Sequence, residues 1–306
     1  MADIAVGTKV FTRTKKLQQL LDSIEQTDID RVYIADDGKR TPEKERVYER
    51  EYDFELDVIE LEYDAGLGRG RKEIVDRLQD ETYLLIVDTD HEVPPNVSVL
   101  ADQLAADPSI GGIAGTIVEP EHGRVFQSAK DFREEGEVLV RSADLQTKRI
   151  ESIAGYPFTE FDFIPNAAMF RTACLDDYCW DPNYVIGKEH IDFYVGHWKQ
   201  TDWRFGVCPS VCFNHFPGGD TTYETNRNSR EKLEQSERYF QKKWGYEAVR
   251  SDRSYWFDTE PIRVETFVDR AKRVYSEDGF SGLVRKSAVV APRMLKNILR
   301  EKWMRF

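Results

Sequence analysis

The chain has 306 residues, with 56 acidic against 43 basic side chains and a formal net charge of −13. It is long enough for one large domain or two small ones with a real core, and its 40% hydrophobic and 12% aromatic content excludes a disordered acidic polymer. The negative balance excludes a nonspecific nucleic-acid partner, which needs a basic footprint.

In chain order, Ile4 to Gly7 reads as a strand. Leu17, Leu20, Leu21 and Ile24 mark one face of a helix at 3-4 spacing. Val32 to Ala35 is a short apolar strand ending at Asp36-Asp37-Gly38. Thr41-Pro42-Glu43 has the form of a helix start, with proline inside the first turn. Val58 to Leu61 is a third strand, and Leu67 to Leu78 a helix. Tyr83 to Val87 is apolar throughout, as a strand buried on both faces must be, and it ends at Asp88-Thr89-Asp90. Val97 to Leu104 is a helix and Gly112 to Val118 another strand. This βαβα rhythm predicts an α/β fold with a mostly parallel central sheet flanked by helices. Residues 119–165 read as hairpins and loops. Helical signal returns at Arg171 to Tyr178 and His190 to Lys199, Phe205 to Phe213 is strand-like, and Arg227 to Lys243 is a charged helix.

The expected organisation is a catalytic region over residues 1–249, divided at residue 118, followed by a C-terminal helical appendage over 250–306. Residues 281–306 hold seven basic groups and one acid, Glu301, so this segment is +6 and the preceding 280 residues are −19. Met294, Leu295, Ile298, Leu299, Trp303 and Phe306 recur near helical spacing, with Arg293, Lys296 and Arg300 largely opposite. A basic amphipathic helix of this kind suits an anionic membrane surface; packing on the acidic domain is the alternative. No apolar run reaches the roughly 20 residues of a membrane span, and Met1 to Ile4 lacks a secretory signal. Cys174, Cys179, Cys208 and Cys212 read as reduced small hydrophobes. The expected location is cytoplasmic, with peripheral contact to the inner membrane face.

In open α/β sheets, ligands bind beyond the carboxyl ends of the strands. Asp88 and Asp90, two apart at such an end, offer hard oxygens to Mg²⁺ or Mn²⁺. Asp36-Asp37 can accept hydrogen bonds from a nucleotide, or simply form a turn. Gly66, Gly68 and Gly70 open a helix as a glycine-rich start that can cradle phosphate, with Arg71 beside it; the spacing is neither the dinucleotide fingerprint nor a P-loop. Glu189, His190 and Asp192 begin a helix, where acids serve as caps or as a general base. His215 follows a strand.

These pieces, in this order, resemble a family-2 glycosyltransferase with a GT-A fold over about residues 3–216. Val6 to Arg13, with Thr8 and Lys9, looks like the opening strand, and Tyr33 to Gly38 like the nucleotide-contacting Asp-Asp segment. Asp64 to Arg71 is similar to the glycine-containing loop before the third helix. Ile86 to Asp90 looks like the metal-binding D-x-D motif, Glu189 to Phe193 resembles the acceptor-site motif, and His215 the later metal-binding histidine. The opening segment and His190 to Phe193 resemble β-1,4-N-acetylgalactosaminyltransferases in particular. Many relatives have Glu-Asp where this chain has Glu189-His190, so Asp192 is the first choice for the base, with Glu189 second and His190 also able to serve.

The resemblance implies inverting sugar transfer from a nucleotide-diphosphate sugar to the hydroxyl of a glycan or lipid-linked acceptor. Thr8, Lys9, Asp36, Asp37, Gly66, Arg71 and Asp88 would contact the donor. Asp88, Asp90 and His215 would hold Mn²⁺ or Mg²⁺. The rival readings are a nucleotidyltransferase acting on sugar phosphates and a non-catalytic nucleotide-sugar binding module.

Overall fold

The computed structural model describes residues 3–144, 146–252 and 255–259. The basic segment 281–306, with most of the expected appendage 250–306, lies outside the described residues.

The first part of the chain alternates strand and helix: β1 (Ile4–Val10), α1 (Thr14–Ile24), β2 (Arg31–Asp36), α2 (Pro42–Tyr48), β3 (Glu55–Glu60), α3 (Leu67–Arg77) and β4 (Tyr83–Ile86). The four strands are parallel in the order β4-β1-β2-β3. Their side chains alternate between two cores, as a period of two requires. Val32, Ile34 and Leu85 face one core with Leu17, Leu20, Leu21 and Ile24 of α1. Tyr33, Ala35, Leu84 and Ile86 face the other with Ile74 of α3. Helix α2 starts as its sequence requires, with the Thr41 side chain accepting from the Lys44 amide and Pro42 in the first turn.

The next elements are β5 (His91–Glu92), α4 (Ser98–Ala106), β6 (Ile110–Glu119), β7 (Arg124–Gln127), β8 (Asp131–Glu135), β9 (Val138–Ser142), β10 (Glu151–Ile153), β11 (Tyr156–Glu160) and β12 (Ala168–Arg171). They are followed by α5 (Thr172–Asp177), α6 (Glu189–Gln200), β13 (Arg204–His215), α7 (Thr221–Arg227), α8 (Arg230–Trp244), β14 (Ala248–Ser251) and β15 (Phe257–Asp258). The expected α/β architecture is present: a 12-stranded sheet with a parallel core and helices on both faces, and a small sheet β14-β9-β8 beside it.

Three features differ from the expectation. Strand β12 lies antiparallel between β4 and β6, where the sequence showed only a helix nearby; Ala168, Met169 and Phe170 are buried by partners distant in sequence. The charged helix expected over 227–243 is present as α8, and a further short helix that was not expected, α7, precedes it across Asn228-Ser229. Residues 248–251 and 257–258 are strands that pair with β9 and β7, so the compact unit runs through residue 259 rather than ending at 249. Among the described residues no helix is long and apolar enough to cross a membrane.

Candidate active site

A cleft of about 530 Å³ opens at the carboxyl ends of β1 and β4. Strand β4 delivers Asp88 and Asp90 to it. Strand β13 delivers His215, held in register by pairing with His91 of β5. The two imidazoles stack with ring centroids 4.7 Å apart. His215 Nε2 lies 3.5 Å from Asp90 Oδ2, and its Nδ1 lies 3.2 Å from Glu119 Oε1. Burial pulls His215 down, but Asp90 and Glu119 outweigh it and raise its pKa. Burial pushes Asp90 up, and hydrogen bonds with His215 and His91 and the Arg13 charge override it, holding the carboxyl far below the ordinary range. Arg13 forms an ion pair with Asp90 Oδ2.

Asp88 lines the same cleft but has different hydrogen-bond partners. It accepts from Asn166 Nδ2 at 2.9 Å and from Arg71 Nη2 at 3.4 Å. Arg71, buried in the body of α3, also reaches Glu189 Oε1 at 3.5 Å. Both arginine contacts are long, and Glu189 Oε2 is buried with no hydrogen-bond partner. Glu189 is the first residue of α6, placed there by two left-handed residues, Gly187 (φ 74°) and Lys188 (φ 68°).

The other two candidate bases on α6, Asp192 and His190, are differently placed. Asp192 is fully buried and does not line the cleft. Its Oδ1 accepts from Tyr184 Oη at 2.9 Å and Trp244 Nε1 at 2.7 Å; its Oδ2 accepts from Tyr178 Oη at 3.1 Å and Lys243 Nζ at 2.9 Å. Its acceptor capacity is used up in tying α6 to α8, through Lys243 and Trp244, and to the segment before α6, through Tyr178 and Tyr184. His190 donates from Nε2 to the Ile164 carbonyl at 2.9 Å and sits edge-on to Phe163. Burial, reinforced by the Arg71 charge, pushes its pKa down to about 3.

The expected nucleotide contacts divide in the same way. Lys9, Gly66, Arg71 and Asp88 line the cleft, whereas Thr8, Asp36 and Asp37 do not. Asp36 is spent on Lys44 Nζ at 2.6 Å, the Gly38 amide at 2.9 Å and Tyr48 Oη at 2.8 Å. Asp37 pairs with Lys9 at 2.6 Å and takes the Gly66 amide at 2.9 Å. At the glycine-rich start of α3 the first two helical amides are already used: Leu67 and Gly68 donate to the carbonyls of Val185 and Tyr184 at 2.9 and 3.0 Å. Its glycines serve close packing instead. A Cβ on Gly66, at φ 99°, would stand 2.4 Å from the Val185 Cα.

Residues 216–228 form the outer wall, and the sequence reading missed them together with Arg13 and Asn166. Lys16 Nζ donates to the carbonyls of Phe216, Pro217 and Gly218. Arg13 lies 4.2 Å from the Tyr223 ring centroid, and Asn226 Nδ2 donates to Asp64 Oδ1 at 2.9 Å. No short motif marks these residues; the one local signal is Asp220, whose side chain caps α7.

Among the described residues no group of three or more His, Cys, Asp or Glu side chains is arranged to hold a metal ion. The donor chemistry nevertheless fits one of the expected kind. Asp90 and His215 give a hard oxygen and an imidazole facing one point, already beside a cation in Arg13, and Mg²⁺-type sites are usually completed by substrate phosphates rather than protein.

A family model described as glycosyl transferase family 2 matches residues 6–178. No curated protein matches the sequence. Among solved structures, GalNAc-T7 with UDP, GalNAc and Mn²⁺ superposes with a TM-score of 0.55 at 13% identity, over 70% of this chain and 44% of that one. Residues 1–349 of TarS from S. aureus in complex with UDP give 0.51 at 14%, over 81% and 73%. The mannosyltransferase PcManGT from Pyrobaculum calidifontis, in complex with GDP-Man and Mn²⁺, gives 0.50 at 14%, over 74% and 60%. The chain thus spans less than half the length of the first of these, and the shared feature at such identities is the fold.

Proposed function

The chain belongs to glycosyl transferase family 2, and from that premise we propose that it transfers a sugar from a nucleotide-diphosphate sugar to an acceptor hydroxyl with inversion. One observation carries the reading: Asp90 with His215, Arg71 with Asp88, and Glu189 with an unpartnered oxygen all line one cleft. Asp90 and His215 would hold a divalent metal, Mn²⁺ or Mg²⁺, which when bound neutralises charge on the diphosphate leaving group. Arg13 and Lys9 add positive charge along the same wall. Asp88, steadied by Asn166 and Arg71, orients the donor.

Glu189, not Asp192, is the base in this proposal, because a carboxylate already accepting four hydrogen bonds cannot meet an acceptor hydroxyl. The acceptor oxygen attacks the anomeric carbon, its proton passes to Glu189 Oε2, and the bond to the diphosphate oxygen breaks with its electron pair leaving on the nucleotide. General-base assistance of this kind contributes about 10²- to 10⁴-fold.

The test is a thermal-shift series of UDP- and GDP-sugars with and without Mn²⁺. Ligand at about 100 times its Kd adds about 2.7 kcal/mol of stability, so at least one donor should raise Tm by about 5 °C. Asp90→Ala should remove the Mn²⁺-dependent part of that rise. A melting curve indifferent to every nucleotide-sugar would overturn the reading.

A further inference from the structure

Beside the cleft, two nitrogen bases, His190 and Arg141, pack on one aromatic ring, Phe163, whose backbone pairs with that of a third basic residue, Lys130. His190 packs edge-on at 4.8 Å between centroids, the Arg141 guanidinium lies 4.8 Å from the ring centroid, and Lys130 exchanges both backbone hydrogen bonds with Phe163 at 2.8 and 2.9 Å. Among the described residues neither Lys130 nor Arg141 forms an ion pair, and the one carboxylate that acts on Lys130 from nearby is Asp252. Lys130 is 7% exposed, and its Nζ has no hydrogen-bond partner; the nearest ring, Tyr255, has its centroid 5.5 Å away. Arg141 donates to Ser251 Oγ at 3.0 and 2.8 Å and forms no ion pair among the described residues. Burial lowers the pKa of both side chains; Asp252 opposes this at Lys130, and Arg141 itself adds to it. Two like charges in one half-buried place are costly unless something negative joins them. The chain between Phe163 and Asn166, which holds Asp88, spans at most about 11 Å. His190 is next in sequence to Glu189. Asn166 and Glu189, which line the cleft, are therefore close along the chain to Phe163 and His190 of the cluster.

We propose that Arg141, backed by Lys130, forms a subsite for an anionic group on the acceptor, a carboxylate or a phosphate carried near the hydroxyl that receives the sugar. The partly buried Arg141 makes the contact, with the planar fork that suits either anion. Lys130 supplies charge from behind. This inference rests on the transferase reading above and deepens it.

Isothermal titration of the full chain with methyl β-glucuronide, glucose 6-phosphate and methyl β-glucoside tests it, the first two ligands separating a carboxylate from a phosphate. At least one anionic sugar should bind about tenfold or more tighter than the neutral glycoside. Arg141→Gln should remove that gap and Arg141→Lys should keep most of it, with both variants melting cooperatively. Lys130→Met should narrow the gap. Equal binding of all three sugars by the wild type, or a gap that survives Arg141→Gln, would overturn the proposal. Titration with UDP or GDP and Mn²⁺ is the control: nucleotide binding without anion preference removes this subsite alone, whereas loss of nucleotide binding removes the transferase reading.

Discussion

Glu189 and Asp192 stand three residues apart on α6, yet they belong to two different regions of the molecule. Asp192 is in the interior, where four donors from Tyr178, Tyr184, Lys243 and Trp244 satisfy both of its oxygens. Glu189 is at the cleft, with one oxygen 3.5 Å from Arg71 and the other unpartnered. A buried polar atom left without a partner costs about 1–3 kcal/mol, a cost that Glu189 bears and Asp192 does not. The difference separates a carboxylate at the cleft with an unused acceptor oxygen from one consumed by the architecture. Asp36 and Asp37, fully engaged by Lys44, Tyr48, Lys9 and Gly66, are of the second kind although they sit at a strand end.

The largest effect should come from the cleft carboxylate. Glu189→Gln keeps shape and removes basicity, so turnover should fall about 10²- to 10⁴-fold while nucleotide binding and Tm stay near wild type. If Asp192→Asn lost turnover by that factor with its melting unchanged, and Glu189→Gln did not, the assignment of the two regions would be reversed.

The parallel half of the sheet was legible because β1, β2 and β4 are short, mostly apolar runs buried on both faces, the last two leading into Asp, with β3 the more exposed edge, and α1 was legible from Leu17, Leu20, Leu21 and Ile24. The site was legible only as a neighbourhood. Residues 189 and 192 differ by roughly 300° around a helix, so they share a face and no periodicity tells which meets the cleft. That is decided by Lys243 and Trp244 on α8, some 50 positions later. Strand β12 was hidden for the same reason: Ala168 to Phe170 is too short to announce itself, and its partners β4 and β6 come from far along the chain. Arg13 was read as part of an opening strand because its partner Asp90 is supplied by another element.

The interior carboxylate should show its effect in stability. Removing one member of a buried, hydrogen-bonded charge pair costs about 3–5 kcal/mol. Asp192→Ala leaves Lys243 half-buried with Asp181 as its remaining carboxylate, so an effect toward the lower end is expected, a Tm fall of about 6–12 °C. Asp192→Asn should cost less, since its amide oxygen still accepts from Trp244 or a tyrosine. Turnover of the folded fraction should remain within a few-fold of wild type. A Tm unchanged in Asp192→Ala would show that the network is not holding α6 to α8.

The same contrast extends to the histidines, where the expected effect is smaller and has a definite sign. His215, at the cleft, is raised by Asp90 and Glu119 against its burial. His197, in the interior among Cys174, Tyr178 and Phe205, is pushed down to about 4 by burial, only partly opposed by the Tyr178 backbone and the charge of Asp177. A group whose folded pKa lies below its unfolded value contributes stability that is present above the unfolded pKa, near 6.5, and is lost as pH falls toward the folded one. Between pH 6.5 and 5 the loss is about 2 kcal/mol at 1.36 kcal/mol per unit, or about 4–8 °C in Tm. Other groups also titrate in this window: Asp162, raised to about 6 by burial, contributes with the opposite sign. The measurement is therefore a difference of differences. His197→Gln keeps a polar side chain that can still reach Thr201 but cannot be protonated, so its Tm should fall less than that of the wild type over this interval, by about 4 °C or more. Parallel Tm-against-pH curves for the two proteins would mean that His197 carries no acid-labile stability and that its burial is not the constraint described here.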